Sequence, residues 1–176
     1  MELKELLLKR RSIRKYLNEE VPDEVIKEII EATRYAPSWK NSQTARYYAV
    51  KSPEVLEKIK KCGLPEGNAK KAEGAALVVT TFKKNIAGHT DGNPDNEAGN
   101  MWGAYDLGLS NSYMILKASE LGYDTLIMGL RFADPIKEIL SIPDDEQIMS
   151  VIVLGKRDSE GVLNPRKELD EILKII

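Results

Sequence analysis

The stretch from Met101 to Leu121, MWGAYDLGLSNSYMILKASEL, constrains the fold more than any other part of this chain. Trp102, Tyr105, Leu109, Tyr113, Leu116 and Leu121 fall on or near one side at helical spacing. Small residues are mixed among them: Gly103, Ala104, Gly108, Ser110 and Ser112. A long helix with apolar residues around much of its surface belongs in the centre of a domain or in an interface. Gly122 ends it.

Short strands surround this helix in sequence. AALVVTTF at 75–82 is a continuous apolar run rich in β-formers and reads as a buried strand. RYYAVK, YDTLIMGL and QIMSVIVLGK read the same way. Helices alternate with them. Residues 2–10 carry leucines at near-helical spacing, and Val25, Ile26, Ile29, Ile30 and Thr33 form one stripe. That second helix has Pro22 at its first position and stops near Ala36, before Pro37. Residues 53–62 form a short helix stopped by Gly63, Asp134-Pro135 starts another, and NPRKELDEILKII is an amphipathic finish. Residues 83–100 make the one long irregular segment, which is either functional or mobile. With no repeat and no linker, the 176 residues read as one domain of alternating helices and strands.

Composition excludes several function classes. With 26 basic and 28 acidic side chains the net charge is −2, which argues against a general binder of nucleic acid or acidic membrane. Cys62 is the only cysteine, so an internal disulfide and a cysteine-based metal cluster are both ruled out. His89, the only histidine, sits in a polar loop with no nucleophile motif around it. MELKELLLKR is too interrupted by charge for a signal peptide, and no apolar run approaches membrane-spanning length, so the chain reads as cytoplasmic.

Against that balance the stretch KRRSIRKYL stands out, since five of its nine residues are cations. Arg10 and Arg14 are four apart and share a face if the first helix continues, with Ser12 between them. Guanidinium forks grip phosphate oxygens in pairs, and a hydroxyl adds a neutral donor. A solvated helix end explains the cluster equally well. APSWKNSQ offers Ser38, Asn41, Ser42 and Gln43 on a loop fixed by Pro37, groups that suit the edge of a heteroaromatic ring or an ordinary turn. Gly129 closes one strand and permits close backbone approach to a flat ligand. Another strand ends in Gly155 and delivers Lys156 and Arg157. No Walker pattern is present and no G-x-G-x-x-G follows a strand. Taken together, these parts fit a phosphorylated aromatic cofactor held by side chains.

RRSIRKY, APSWKNSQTARYYAV, WGAYDLGLSNSYMILKASELGYDTLIMG and VIVLGKR, in that order along the chain, resemble the nitroreductase family of FMN-dependent flavoproteins. The resemblance implies an α+β fold, a mixed β-sheet flanked by helices, in an intertwined two-fold homodimer with FMN at the interface. It implies a single FMN-binding domain over 1–176 whose tail, about 160–176, packs on the partner. On that pattern Arg10, Arg11, Ser12 and Arg14 meet the FMN phosphate and pyrimidine edge, and Lys156 and Arg157 join the phosphate. Pro37, Ser38, Trp39, Asn41 and Gln43 reach the flavin from the partner subunit. Ile127, Met128 and Gly129 lie along the ring, and Asn68 and Lys71 approach the pyrimidine side. The 83–100 loop is the expected cover. The implied activity is hydride transfer from NADH or NADPH, by a ping-pong mechanism, to nitroaromatic, quinone or similar acceptors. No catalytic side chain and no metal is expected, because the flavin carries the chemistry. Flavin reduction, dehalogenation, FMN storage without catalysis and a flavin-free anion-binding domain are the alternatives.

Overall fold

Both faces of one sheet are covered in the structure, a computed structural model that describes residues 2–176. The chain runs α1 (Leu3–Lys9), α2 (Asp23–Thr33), β1 (Ala45–Val50), α3 (Pro53–Lys58), α4 (Glu66–Lys71) and β2 (Ala76–Lys83). A two-residue hairpin pair, β3 (His89–Thr90) and β4 (Asn93–Pro94), interrupts the long loop. Then follow α5 (Met101–Glu120), β5 (Asp124–Met128), α6 (Ala133–Leu140), β6 (Glu146–Gly155) and α7 (Leu169–Ile172).

The main sheet has the order β1-β2-β6-β5, with every neighbouring pair antiparallel. A parallel bridge between Ser12 and Thr125 adds the N-terminal segment beside β5 and makes the sheet mixed. Alternation along the two central strands explains their continuous apolar sequence. Leu77, Val79, Val151 and Val153 pack on one face with Ile59, Leu64 and Ile136. Ala76, Val78, Ile152 and Leu154 pack on the other with Ile26, Ile29 and Met114. Each fully buried Val, Leu or Ile contributes roughly 1.5–3 kcal/mol, and the buried polar residues of these strands are hydrogen-bonded, Thr80 with Ser150 and Thr81 to Glu146. α2 and α5 cover the second face. α5 lies so close to β2 that Gly103 sits against the Phe82 ring with no room for a Cβ.

Several boundaries differ from the sequence reading. α1 ends at Lys9 and Arg10 is already extended (φ −60°, ψ 128°), so no continuing helix carries Arg10 to Arg14. Pro22 caps α2 from outside, and the helix stops at Thr33, where tight turns through Arg34, Tyr35 and Ala36 take over. The 53–62 helix is α-helical only to Lys58 and widens into a π turn over Ile59–Gly63. α6 starts at Ala133, which puts Asp134 and Pro135 inside its first turn. The tail forms only the single turn α7, with Leu163, Leu169, Ile172 and Leu173 exposed. α4 has no counterpart in the sequence reading, since EGNAKK is too short and too polar to carry a periodic signal.

Candidate functional site

The residues from Arg10 to Leu17 are held against the sheet by backbone bonds. The Ile13 amide donates to the Thr125 carbonyl at 3.1 Å, and Leu17 donates to Lys156 at 2.9 Å. Asp158 donates back to Lys15 at 3.0 Å. The N-terminal cations therefore do lie beside the end of β6, although on an extended chain. Ile13 and Tyr16 of this segment are buried, and Arg14 and Lys15 between them are exposed.

The cations of this region divide into two groups by their partners. Arg157 grips Asp124 with two bonds of 2.8 and 2.6 Å, and Lys156 pairs with Glu19 at 2.8 Å. Those carboxylates raise both cations' pKa and neutralise them. Their cavity, about 270 Å³, is shared with Lys9 and Asp124 and does not include Arg10. By contrast, Arg10, Arg11, Arg14 and Arg166 have no carboxylate partner among the described residues. Arg11 and Arg14 donate only to the carbonyls of Arg10 and Ser12, and Arg166 to those of Asn164 and Pro165. Burial, then the charges of Arg11 and Arg166, push the Arg10 guanidinium below its ordinary pKa. Arg166 reaches this place because the tail turns back over the N-terminal segment. Gly161 makes the turn possible by lying flush on Arg11 and Ile13. Arg166 is the residue that sequence reading missed. Its only signal is a cation in NPRKEL, indistinguishable from other surface charge.

The N-terminal segment meets β5 near its start, at Thr125, and the candidate ring surface lies further along the strand. Ile127 is half exposed, and Gly129 has open space where a Cβ would stand. Met128 does not share that surface: it is buried in the core beneath the sheet, because alternation turns it inward. Only its backbone could meet a ring. The Asn68 side-chain amide donates to the Leu130 carbonyl at 2.8 Å, which fixes α4, and with it Lys71, beside this face.

The loop from Pro37 to Gln43 lies elsewhere in the protomer, on α5. The Trp39 amide donates to Asp106 Oδ2 at 2.8 Å, and the Trp39 ring packs on Trp102 with centroids 4.7 Å apart. Lys40 reaches Thr90 at 3.1 Å and Asp95 at 3.4 Å, which ties in the 83–100 segment. Trp39 Nε1 and Ser42 Oγ are buried without hydrogen-bond partners. A cavity of about 220 Å³ behind the loop is lined by Pro37, Ser38, Gln43, Thr44, Asp106 and Ser110. A further cavity, about 560 Å³, borders α3, and its Lys51 and Lys60 are already paired with carboxylates. Among the described residues no helix is long and apolar enough to cross a membrane, and no cluster could hold a metal.

Chemically, unneutralised guanidiniums call for an oxyanion, and the β5 end offers a flat surface with cationic and amide edges. Residues 7–83 and 64–156 match the profile of the nitroreductase family. The chain belongs to the nitroreductase family. This nitroreductase-family chain is 30% identical to a Methanothermobacter thermautotrophicus relative named as an NADH dehydrogenase/NAD(P)H nitroreductase, over 159 residues covering 88% of this chain and 77% of the relative. A solved structure described as an oxidoreductase containing FMN has a TM-score of 0.77 at 27% identity, covering 90% of this chain and 79% of that one. Over 85 residues the chain is 42% identical to iodotyrosine deiodinase 1 of Pongo abelii, covering 47% of this chain and 29% of the deiodinase.

Proposed function

We propose that this protein is an FMN-dependent oxidoreductase that takes hydride from NADH or NADPH and reduces nitroaromatic, quinone or similar acceptors by a ping-pong sequence. Family membership supports the class, and the NAD(P)H and FMN in the names of its relatives support the donor and the cofactor. The observation that carries the reading for this chain is Arg10, part-buried with the charges of Arg11 and Arg166 acting on it and, like them, without a carboxylate partner among the described residues. A phosphate dianion at that place removes the repulsion. Ser12 adds a hydroxyl there, while Lys156 and Arg157, committed to Glu19 and Asp124, serve the fold instead.

Bound flavin supplies the hydride acceptor and donor in one ring. The chain's own part is placement. Ile127 and Gly129 offer the surface for the ring, and Asn68, Lys71 and Arg14 an amide and two cations for its polar edge. The Pro37–Gln43 loop contributes the exposed side-chain amides of Asn41 and Gln43. Because that loop sits on α5, away from the β5 end, it completes the site from a second copy of the chain in a two-fold homodimer. Met101, Tyr105 and Tyr113 on α5, and the apolar tail, give such a dimer its contact surface.

The test is direct. Purified protein is yellow, takes up FMN stoichiometrically, and bleaches under nitrogen when NADH or NADPH is added. Yellow protein that resists both nicotinamides is a storage protein, and colourless protein that ignores FMN is a flavin-free anion binder. The deiodinase similarity places a halogenated phenol beside the nitroaromatics and quinones in the acceptor panel.

A further inference from the structure

The Pro37–Gln43 loop holds a backbone that its own sequence disfavours. Lys40, Asn41 and Gln43 stand at φ 46°, 54° and 48°, in the left-handed region where a side chain crowds the main chain. Its internal bonds are local: Asn41 to the Ser38 carbonyl, Ser42 to that of Trp39, and Gln43 to Ser38 Oγ. Such a conformation persists only where the surroundings over-determine it. Apart from Arg46, which donates to the Gln43 carbonyl at the loop's end, the loop has three external holds. Lys40 meets Thr90 and Asp95 on the exposed surface, where ion pairs contribute little. The Trp39–Trp102 stack fixes a ring and leaves the backbone free. The third is the Trp39 amide on Asp106.

Asp106 is unusual in its surroundings. It is 4% exposed, on the central helix, and its only hydrogen bond is from the Trp39 amide. The charged and titratable groups around its cavity all look elsewhere. Arg34, after α2, grips Glu31, and Arg46, on β1, donates to the carbonyls of Gln43 and Ala45. Tyr47, also on β1, donates to Ser110 on α5. A buried carboxylate with no cation is a costly arrangement, and an apolar residue would pack there without that penalty. The loop alone gains from the charge.

We propose that Asp106 is the positioning residue that locks the Pro37–Gln43 loop in its flavin-binding form. For its effect on FMN this rests on the reading above, whereas the lock itself is a property of the chain alone. Burial pushes the Asp106 carboxyl above the usual carboxylate range, and the Trp39 amide only partly opposes the shift. Mild acidification therefore removes the charge, weakens a charge-assisted bond and loosens the loop.

Two measurements test the proposal. In flavin-free 15N-labelled protein, the Trp39 amide resonance is followed from about pH 7.5 to about pH 4.5, the range in which a raised carboxyl titrates. Leaving out FMN keeps the ionisation of its phosphate near pH ~6 from entering the curve. The Trp39 signal moves along a one-proton curve in the wild type and stays flat in Asp106→Asn. FMN affinity at neutral pH falls about tenfold to a hundredfold in Asp106→Ala. It falls by a smaller factor, about threefold to tenfold, in Asp106→Asn, whose carbonyl accepts the bond without the charge. A Trp39 amide indifferent to pH overturns the proposal, as does an Ala variant that binds FMN like the wild type. Should the Ala variant not fold, the titrations of the wild-type and Asn proteins decide. A titrating Trp39 in protein that takes up no FMN leaves the lock standing and removes the flavin reading.

Discussion

Arg157 and Arg166 flank the same short segment after the last strand, and their neighbours give them opposite roles. Arg157 closes a two-bond pair on Asp124, itself 6% exposed. Arg157→Ala strands that carboxylate and is expected to lower stability by roughly 2–4 kcal/mol in urea denaturation. Unchanged stability would show the pair to be incidental. Asp106 makes a pH-dependent prediction of the opposite sign. Its folded pKa lies above the ordinary 3.8 through burial, so the native state holds more protons than the unfolded one between those two values. Its contribution is therefore largest at low pH and is lost as pH rises through the folded value. At neutral pH Asp106→Asn is expected to melt about 2–4 °C higher, with the gain vanishing on acidification. A variant that melts lower at neutral pH contradicts this. At this scale the sequence disclosed Arg10, Ser12 and the Pro37–Gln43 loop, because unusual residues cluster there. It hid Arg166 and Asp106, whose roles depend on what the fold brings to or withholds from them.

Among the elements, α5 sets the geometry. It presents Asp106 and Trp102 to the loop, and its distance from β2 is fixed by Gly103 against Phe82. Gly103→Ala forces those two elements apart and is expected to cost about 1–3 kcal/mol, read from the urea midpoint. An unperturbed midpoint would mean that the Phe82 ring yields freely. The strands were legible in advance because burial on both faces demands runs such as AALVVTTF. α5 was legible as a helix but buries Gly103, Asp106, Leu107, Ser110 and Met114 rather than the stripe of Trp102, Tyr105, Leu109 and Tyr113. α4 was not legible, since its six residues, four of them polar, gain their helix from the neighbouring π turn and from the Asn68 bond to Leu130. The helix expected to continue through Arg10–Arg14 failed for a related reason. Bridges to Thr125 and Arg157 extend the chain there, and tertiary pairing outweighs helical spacing.

For the molecule as a whole, the candidate residues of one protomer fall in two places that do not meet. Cations, α4 and the β5 end form one; the loop on α5 forms the other. The proposed two-fold dimer joins each loop to a partner's β5 end, and the tail that would bridge the copies also carries Arg166. Phosphate recognition is therefore the central claim, and comparing FMN with riboflavin, which lacks the phosphate, isolates it. Affinities for both are measured by fluorescence titration in the wild type, Arg166→Ala and Lys156→Ala. The expected wild-type preference for FMN shrinks about tenfold or more in Arg166→Ala and holds in Lys156→Ala. A preference that survives in Arg166→Ala but collapses in Lys156→Ala would contradict the account.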